Sequence, residues 1–310
     1  MAKETQILPN STKLLILLYN YNYRREGVGI MNKKHMKFII ITVVLAVVAV
    51  TALAAFGIIS PGNSSRYDVQ RIQAERTALT GRTIYWLGSS VTLGMESGEQ
   101  AVADYIAARN GAVCVKEAVS GTTLIDESYR TWFSISDSYI TRLKSSVYFD
   151  KSAEIDAFVC QISTNDAKSE NLDQWGQITG DTVTELKAFD VKTTLGAMEY
   201  IIAYVHENWG CPVYFYSGSF FTEQGLRGVS DPSSEDYARL VRLTHEIADK
   251  WNAIEGYEVH VIDLYNDAAF NDITDAQFRL YMRDPIHPRK AGYLEWWTPY
   301  FESVLMATLP

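Results

Sequence analysis

Four short stretches of this chain carry residue types that together could transfer an acyl group. The first is Gly88-Ser89-Ser90, where the apolar run Tyr85-Trp86-Leu87 ends in a glycine and two serines, with another glycine at Gly94. A serine hydroxyl is a weak nucleophile unaided, so such a site needs a base and a set of oxyanion donors elsewhere in the chain. The last stretch, Arg283-Asp284-Pro285-Ile286-His287-Pro288, supplies a base. Its aspartate stands three residues before a histidine, and a proline after each stiffens the turn. Imidazole titrates near neutrality and can take the serine proton, while a carboxylate on its other nitrogen fixes the tautomer and stabilises the imidazolium. Between these lie Ser120-Gly121, where a glycine lets the backbone approach a ligand and offer an N–H, and Ser163-Thr164-Asn165-Asp166, whose asparagine amide is a known type of oxyanion donor. Taken singly, Gly121 reads as a turn glycine and Asn165 equally as a turn or capping residue. Only the combination points to nucleophilic catalysis, with Ser89 and Ser90 both open as the nucleophile.

These residues need a scaffold that brings them to one place. β-Branched and aromatic residues over 83–87 predict a buried strand, and the sequence after Gly94 predicts a loop and then a helix over 100–109. Further strands are expected over 112–118, 157–162, 213–217 and 259–264. Further helices are expected over 138–145, 193–209, 234–254 and 288–306, with a short polar helix over 68–77. Strands alternating with helices predict a parallel sheet of about five strands covered on both faces. Open sheets of this kind bind ligands at the carboxyl ends of their strands, where the first three stretches fall. The polar stretch 166–190 has no clear period and reads as a long loop beside the site.

The four blocks, in this order, resemble those of the SGNH (GDSL-type) hydrolase family, named for the Ser, Gly, Asn and His that here are Ser90, Gly121, Asn165 and His287, with Asp284 completing Asp-x-x-His. The resemblance extends from Thr83 to the C-terminus. It implies a flavodoxin-like α/β/α fold and a catalytic set of Ser90, His287 and Asp284. It also implies an oxyanion hole built from the Ser90 N–H, the Gly121 N–H and the Asn165 amide, and an ester intermediate on Ser90 with no metal or organic cofactor. Two positions depart from the family. Its Gly-Asp-Ser is here Gly88-Ser89-Ser90, and its Gly-x-Asn-Asp is Ser163-Thr164-Asn165-Asp166.

Composition narrows the setting. The chain of 310 residues has a formal charge of −9 and no basic stripe, which excludes nucleic acid as a natural partner. Residues 38–59 contain no charged side chain, follow Lys33, Lys34 and Lys37, and are long enough to span a bilayer. They read as a transmembrane signal-anchor with the amino end inside; Ala52-Leu53-Ala54 keeps a cleavable signal peptide open as the second reading. The expected organisation is a cytoplasmic segment 1–37, the anchor 38–59, a linker and lead-in 60–79, and an extracytoplasmic hydrolase domain 80–310. Met31-Asn32-Lys33-Lys34 would make a natural start, with the earlier residues an over-extended frame or a tail. Cys114, Cys160 and Cys211 match no zinc spacing and read as small buried side chains, and His206, His245 and His260 read as structural. The aromatics Tyr129, Trp132, Phe133, Tyr139, Tyr148 and Phe149 read as core or as pocket lining. The functional expectation is a serine esterase acting on an acyl group, O-acetyl above all, of a carbohydrate. The alternatives are a lipid esterase or lysophospholipase, and a catalytically inactive module that binds glycan or protein.

Overall fold

The strand Thr83–Gly88 (β1) sits between two neighbours, which is why its residues are apolar in an unbroken run: both of its faces are covered. In the computed structural model, which describes residues 38–48, 60–126, 128–130 and 135–309, β1 pairs in parallel with Val113–Ala118 (β2) on one side. A hairpin of Ser128–Arg130 (β3) and Ile135–Asp137 (β4) follows in the chain, in a stretch for which no strand was expected. On its other side β1 pairs with Ala157–Gln161 (β5), and the sheet continues through Val213–Tyr216 (β6) to Val259–Ile262 (β7). The order β2-β1-β5-β6-β7 is the 2-1-3-4-5 arrangement of flavodoxin-like sheets, with a switch point beside β1. All five expected strands of the sheet are present, each within two residues of its expected bounds.

Alternate residues of the strands face two separate cores. Tyr85, Leu87, Phe158, Cys160 and Phe215 pack beneath the helices Tyr139–Lys144, Thr194–Trp209 and Ser234–Asn252. Ile84, Trp86, Val159, Tyr214 and Tyr216 pack beneath Val102–Asn110 and the C-terminal helical segment. Side-chain oxygens of Ser138, Thr193 and Ser233 accept the first free backbone N–H groups of the three helices on the first face, so their starts are encoded locally. Tyr139 and Phe149 belong to the core, whereas Tyr148 is exposed. The side chains of Tyr129, Trp132 and Phe133 lie outside the described residues.

Three departures from expectation have physical causes. The single helix expected over 288–306 is instead a turn at Lys290–Gly292, a π-helical turn at Tyr293–Trp297 and an α-helix over Thr298–Thr308. Pro299 has no N–H to give the carbonyl four residues back, and the turn before it widens. The polar helix expected over 68–77 is replaced by a single 3₁₀ turn at Val69–Arg71, preceded by two more such turns at Pro61–Asn63 and Ser65–Tyr67. Here the Val69 N–H goes to Gln100 Oε1 and the Glu75 N–H to the Arg109 carbonyl, so the segment satisfies its backbone against the domain instead of internally. The helix Asp275–Tyr281 was not anticipated, although Thr274 and Gln277 form a capping box that announces it.

Residues 60–309 form one compact unit. Of the apolar stretch 38–59, residues 38–48 are helical with exposed side chains, while 49–59 lie outside the described residues. Among the described residues no helix is long and apolar enough to cross a membrane. The segment 1–37 and the start expected at Met31 also lie outside them.

Candidate active site

At the carboxyl end of β1 the chain enters a single helical turn, Ser90–Leu93, that Gly94 closes in the left-handed conformation. Gly88 is obligatory here: a Cβ on it would lie 1.7 Å from Thr92 Oγ1 and 3.0 Å from Gln161 Oε1. That Gln161 oxygen is buried and accepts from the Ser89 N–H, the Thr92 N–H and the Thr92 hydroxyl, at 3.0, 3.1 and 2.8 Å. The turn is thereby fixed from beneath by a residue of the neighbouring strand.

The two serines point to different surroundings. Ser90 Oγ lies 2.8 Å from His287 Nε2. Ser89 is buried, and its hydroxyl faces Ser163 Oγ at 3.4 Å. The two positions that depart from the family pattern are therefore in contact with each other. His287 Nδ1 in turn lies 3.0 and 2.9 Å from the two oxygens of Asp284. Asp284 Oδ1 also accepts the backbone N–H groups of Ile286 and His287, so the loop folds around its own carboxylate. Burial would raise this carboxyl, but the His287 ring and the two N–H groups together hold it below the usual aspartate range. An ionised Asp284 on Nδ1 leaves Nε2 free to accept the Ser90 proton.

The expected oxyanion donors are also at this end of the sheet. Gly121 follows β2 with φ at +80°, a conformation that favours glycine, and a Cβ on it would meet nothing within 4 Å. Among the described residues neither the Ser90 nor the Gly121 backbone N–H has a hydrogen-bond acceptor. Asn165 gives one amide hydrogen to the Thr122 carbonyl at 3.1 Å, which ties the third block to the second and leaves its other amide hydrogen without an acceptor among the described residues. Ser163 Oγ approaches the same carbonyl and accepts the Asn165 N–H, so Ser163 takes part in the turn that carries Asn165.

Sequence reasoning missed the residue that joins the first two blocks. Arg142, 1% exposed, reaches from the helix Tyr139–Lys144 to donate to the Gly88 carbonyl, Thr122 Oγ1 and the Asp137 carbonyl, at 2.9, 3.1 and 3.1 Å. It also pairs with Glu117 at 3.4 Å. Burial pulls the guanidinium below its ordinary range and pushes Glu117 up, Arg142 opposing the latter shift. Asp166, next to Asn165, is buried as well; both of its oxygens lie 3.1 Å from the Leu124 N–H, and burial raises its carboxyl to about 8 against those hydrogen bonds.

None of the other expected structural residues joins the site. His245 pairs with Asp263 and His260 with Glu258, while the His206 ring packs against Tyr257. The cysteines are free; Cys160 is buried, whereas Cys114 and Cys211 are only partly so. Among the described residues no cluster of side chains has the makings of a metal site.

No family model and no curated protein matches this chain. Solved structures do. A protein from Lactobacillus plantarum is 21% identical over 74% of this chain and 99% of its own, with a TM-score of 0.53. The two share a fold. A carbohydrate acetylesterase family member from Sinorhizobium meliloti is 14% identical over 72% of this chain and 99% of that one, with a TM-score of 0.45. A lipase/acylhydrolase from Enterococcus faecalis is 18% identical over 74% of this chain and 97% of that one, also with a TM-score of 0.45. Carbohydrate acetylesterases and lipase/acylhydrolases thus stand among the solved structures similar to this chain.

Proposed function

We propose that this chain is a serine ester hydrolase of the SGNH type. The observation that carries the reading is the relay from Ser90 through His287 to Asp284, set beside two backbone N–H groups that have no acceptor among the described residues. Ser90 Oγ attacks the carbonyl carbon of the ester while His287 Nε2 takes its proton. The negative charge that develops on the carbonyl oxygen is met by the N–H groups of Ser90 and Gly121 and by the Asn165 amide. Collapse of this intermediate expels the alcohol, which leaves with the proton from His287, and the acyl group stays on Ser90. Water, deprotonated by the same nitrogen, then releases the acid and restores the serine.

The substrate in this reading is a short acyl ester, O-acetyl above all, on a carbohydrate outside the cytoplasm. Support for the location comes from the uncharged stretch 38–59 behind its lysine-bearing flank, read as an anchor that leaves the hydrolase domain outside. Alkaline carbonate extraction and protease accessibility of intact cells test the location. Hydrolysis of aryl acetate and aryl laurate by the purified chain tests the chemistry. Faster turnover of acetate, lost on treatment with a serine-directed fluorophosphonate, is the expected result. Preference for laurate would replace the carbohydrate reading with a lipid esterase, and a folded chain that neither hydrolyses ester nor takes the label would remove the esterase reading itself.

A further inference from the structure

The segment just after the apolar stretch bridges the loops that follow Ser90 and His287. Asn63 Nδ2 donates to the Glu96 carbonyl at 2.8 Å, and Asn63 Oδ1 accepts the Lys290 backbone N–H at 3.0 Å. Glu96 lies in the turn Met95–Ser97, directly after the nucleophile's turn; Lys290 is three residues beyond His287. One side chain therefore ties the loop behind the nucleophile to the loop behind the base. Its neighbours hold it there. Asp68 pairs with the Lys290 ammonium, the Val69 N–H goes to Gln100, and buried Tyr67 gives its carbonyl to the Tyr105 hydroxyl. A second tie crosses the same gap at 3.7 Å between Arg283 and Glu96, but both of those side chains are substantially exposed, so it is the weaker one.

We propose that Asn63 is a positioning residue, which sets the distance between Ser90 and His287 by clamping the two loops that carry them; this rests on the esterase reading above. Only an amide can serve as it does. Aspartate would keep the acceptor for the Lys290 N–H but put a negative charge against the Glu96 carbonyl, and leucine of similar size would lose both bonds. The base side needs such a tie because the Asp284–His287 hydrogen bonds fix the ring within its own loop but do not fix that loop against the nucleophile. A small displacement far from the reacting atoms lowers turnover steeply when it opens a proton-transfer contact.

The test uses the full chain with Asn63→Asp and Asn63→Leu, read in three ways. Turnover per folded molecule should fall in the order wild type, aspartate, leucine, by about tenfold or more in the last, with KM within about twofold. The Lys290 amide should exchange with solvent faster in Asn63→Leu than in Asn63→Asp, and the His287 ring resonances followed by NMR should move in both. Unchanged turnover in Asn63→Leu overturns the proposal even if the amide exchanges faster, because the bond would then be structural only. Unchanged exchange and ring resonances overturn it as well. If wild type hydrolyses no ester while exchange and ring resonances respond as described, the clamp stands and the esterase reading fails.

Discussion

The two halves of the candidate site are held in place by different means. The nucleophile's turn is fixed by the core: Gln161 accepts three hydrogen bonds from it, Arg142 grips the Gly88 carbonyl, and the Tyr293 hydroxyl holds the Val91 carbonyl at 2.7 Å. Every one of those side chains is buried. The base, by contrast, sits on a loop that folds around one partly exposed carboxylate and is tied to the body through surface segments. A buried network fixes position by exclusion, since each polar atom has one place to be satisfied. A surface loop is fixed only by its bonds and opens when one is lost. The nucleophile side should therefore respond to mutation mainly through stability, the base side mainly through rate.

The largest effect expected is at the junction of the halves. Ser90→Ala should lower turnover by about 10⁶-fold without loss of fold, and Ser89→Ala should keep most of the activity. The opposite pattern in ester hydrolysis would make Ser89 the nucleophile despite its contact with Ser163. Next comes Asp284→Asn, which leaves the loop its length but removes the charge that fixes the His287 tautomer. A loss of about 10⁴-fold in kcat is expected, with the urea midpoint lowered only by what the ionised carboxylate contributes to stability. If the midpoint collapsed instead, the base side would be part of the core, and the contrast between the halves would disappear.

Arg142→Met probes the other half. It strips the cation from Glu117, takes the Arg142 donor from Thr122 Oγ1 and the Asp137 carbonyl, and leaves the Gly88 carbonyl only the Val119 N–H, which should cost about 3–5 kcal/mol in urea unfolding. Arg142→Lys retains charge but not the planar fork, and should recover only part of that loss. A cost below about 1 kcal/mol for the methionine variant would mean that the buried cation does not hold the two blocks together.

These residues differ in how far the sequence announced them. The strands were legible because a strand covered on both faces is apolar throughout, as in Tyr85-Trp86-Leu87 or Phe158-Val159-Cys160. Ser90, Gly121, Asn165 and His287 were legible because each stands at the end of an element in a short motif. Arg142 was not, since an arginine in a six-residue helix ordinarily faces solvent and nothing local to it records the Gly88 carbonyl 54 positions away. Asn63 is further still from its partner, 227 positions from Lys290, inside a segment whose polarity suggested only a linker. Motifs record local geometry. The groups that join motifs are recorded only in the fold.

The last effect separates the halves by pH. Asp166, behind the oxyanion side, has a carboxyl raised by burial to about 8, whereas Asp284 is held below the ordinary aspartate range. For Asp166 the folded chain binds the proton more tightly than the unfolded one, so stability falls as pH rises from the ordinary aspartate range toward about 8. For Asp284 the sign is opposite: its contribution is present above the ordinary range and is lost as pH falls through its depressed value. Asp166→Asn should thus flatten the decline in unfolding free energy between about pH 5 and pH 8, while Asp284→Asn should flatten only the acid limb. Urea unfolding of wild type and both variants at pH 3, 5 and 8 reads this directly. Parallel curves for wild type and Asp166→Asn above pH 5 would show that the carboxyl ionises normally, and that the Leu124 N–H outweighs burial at that position.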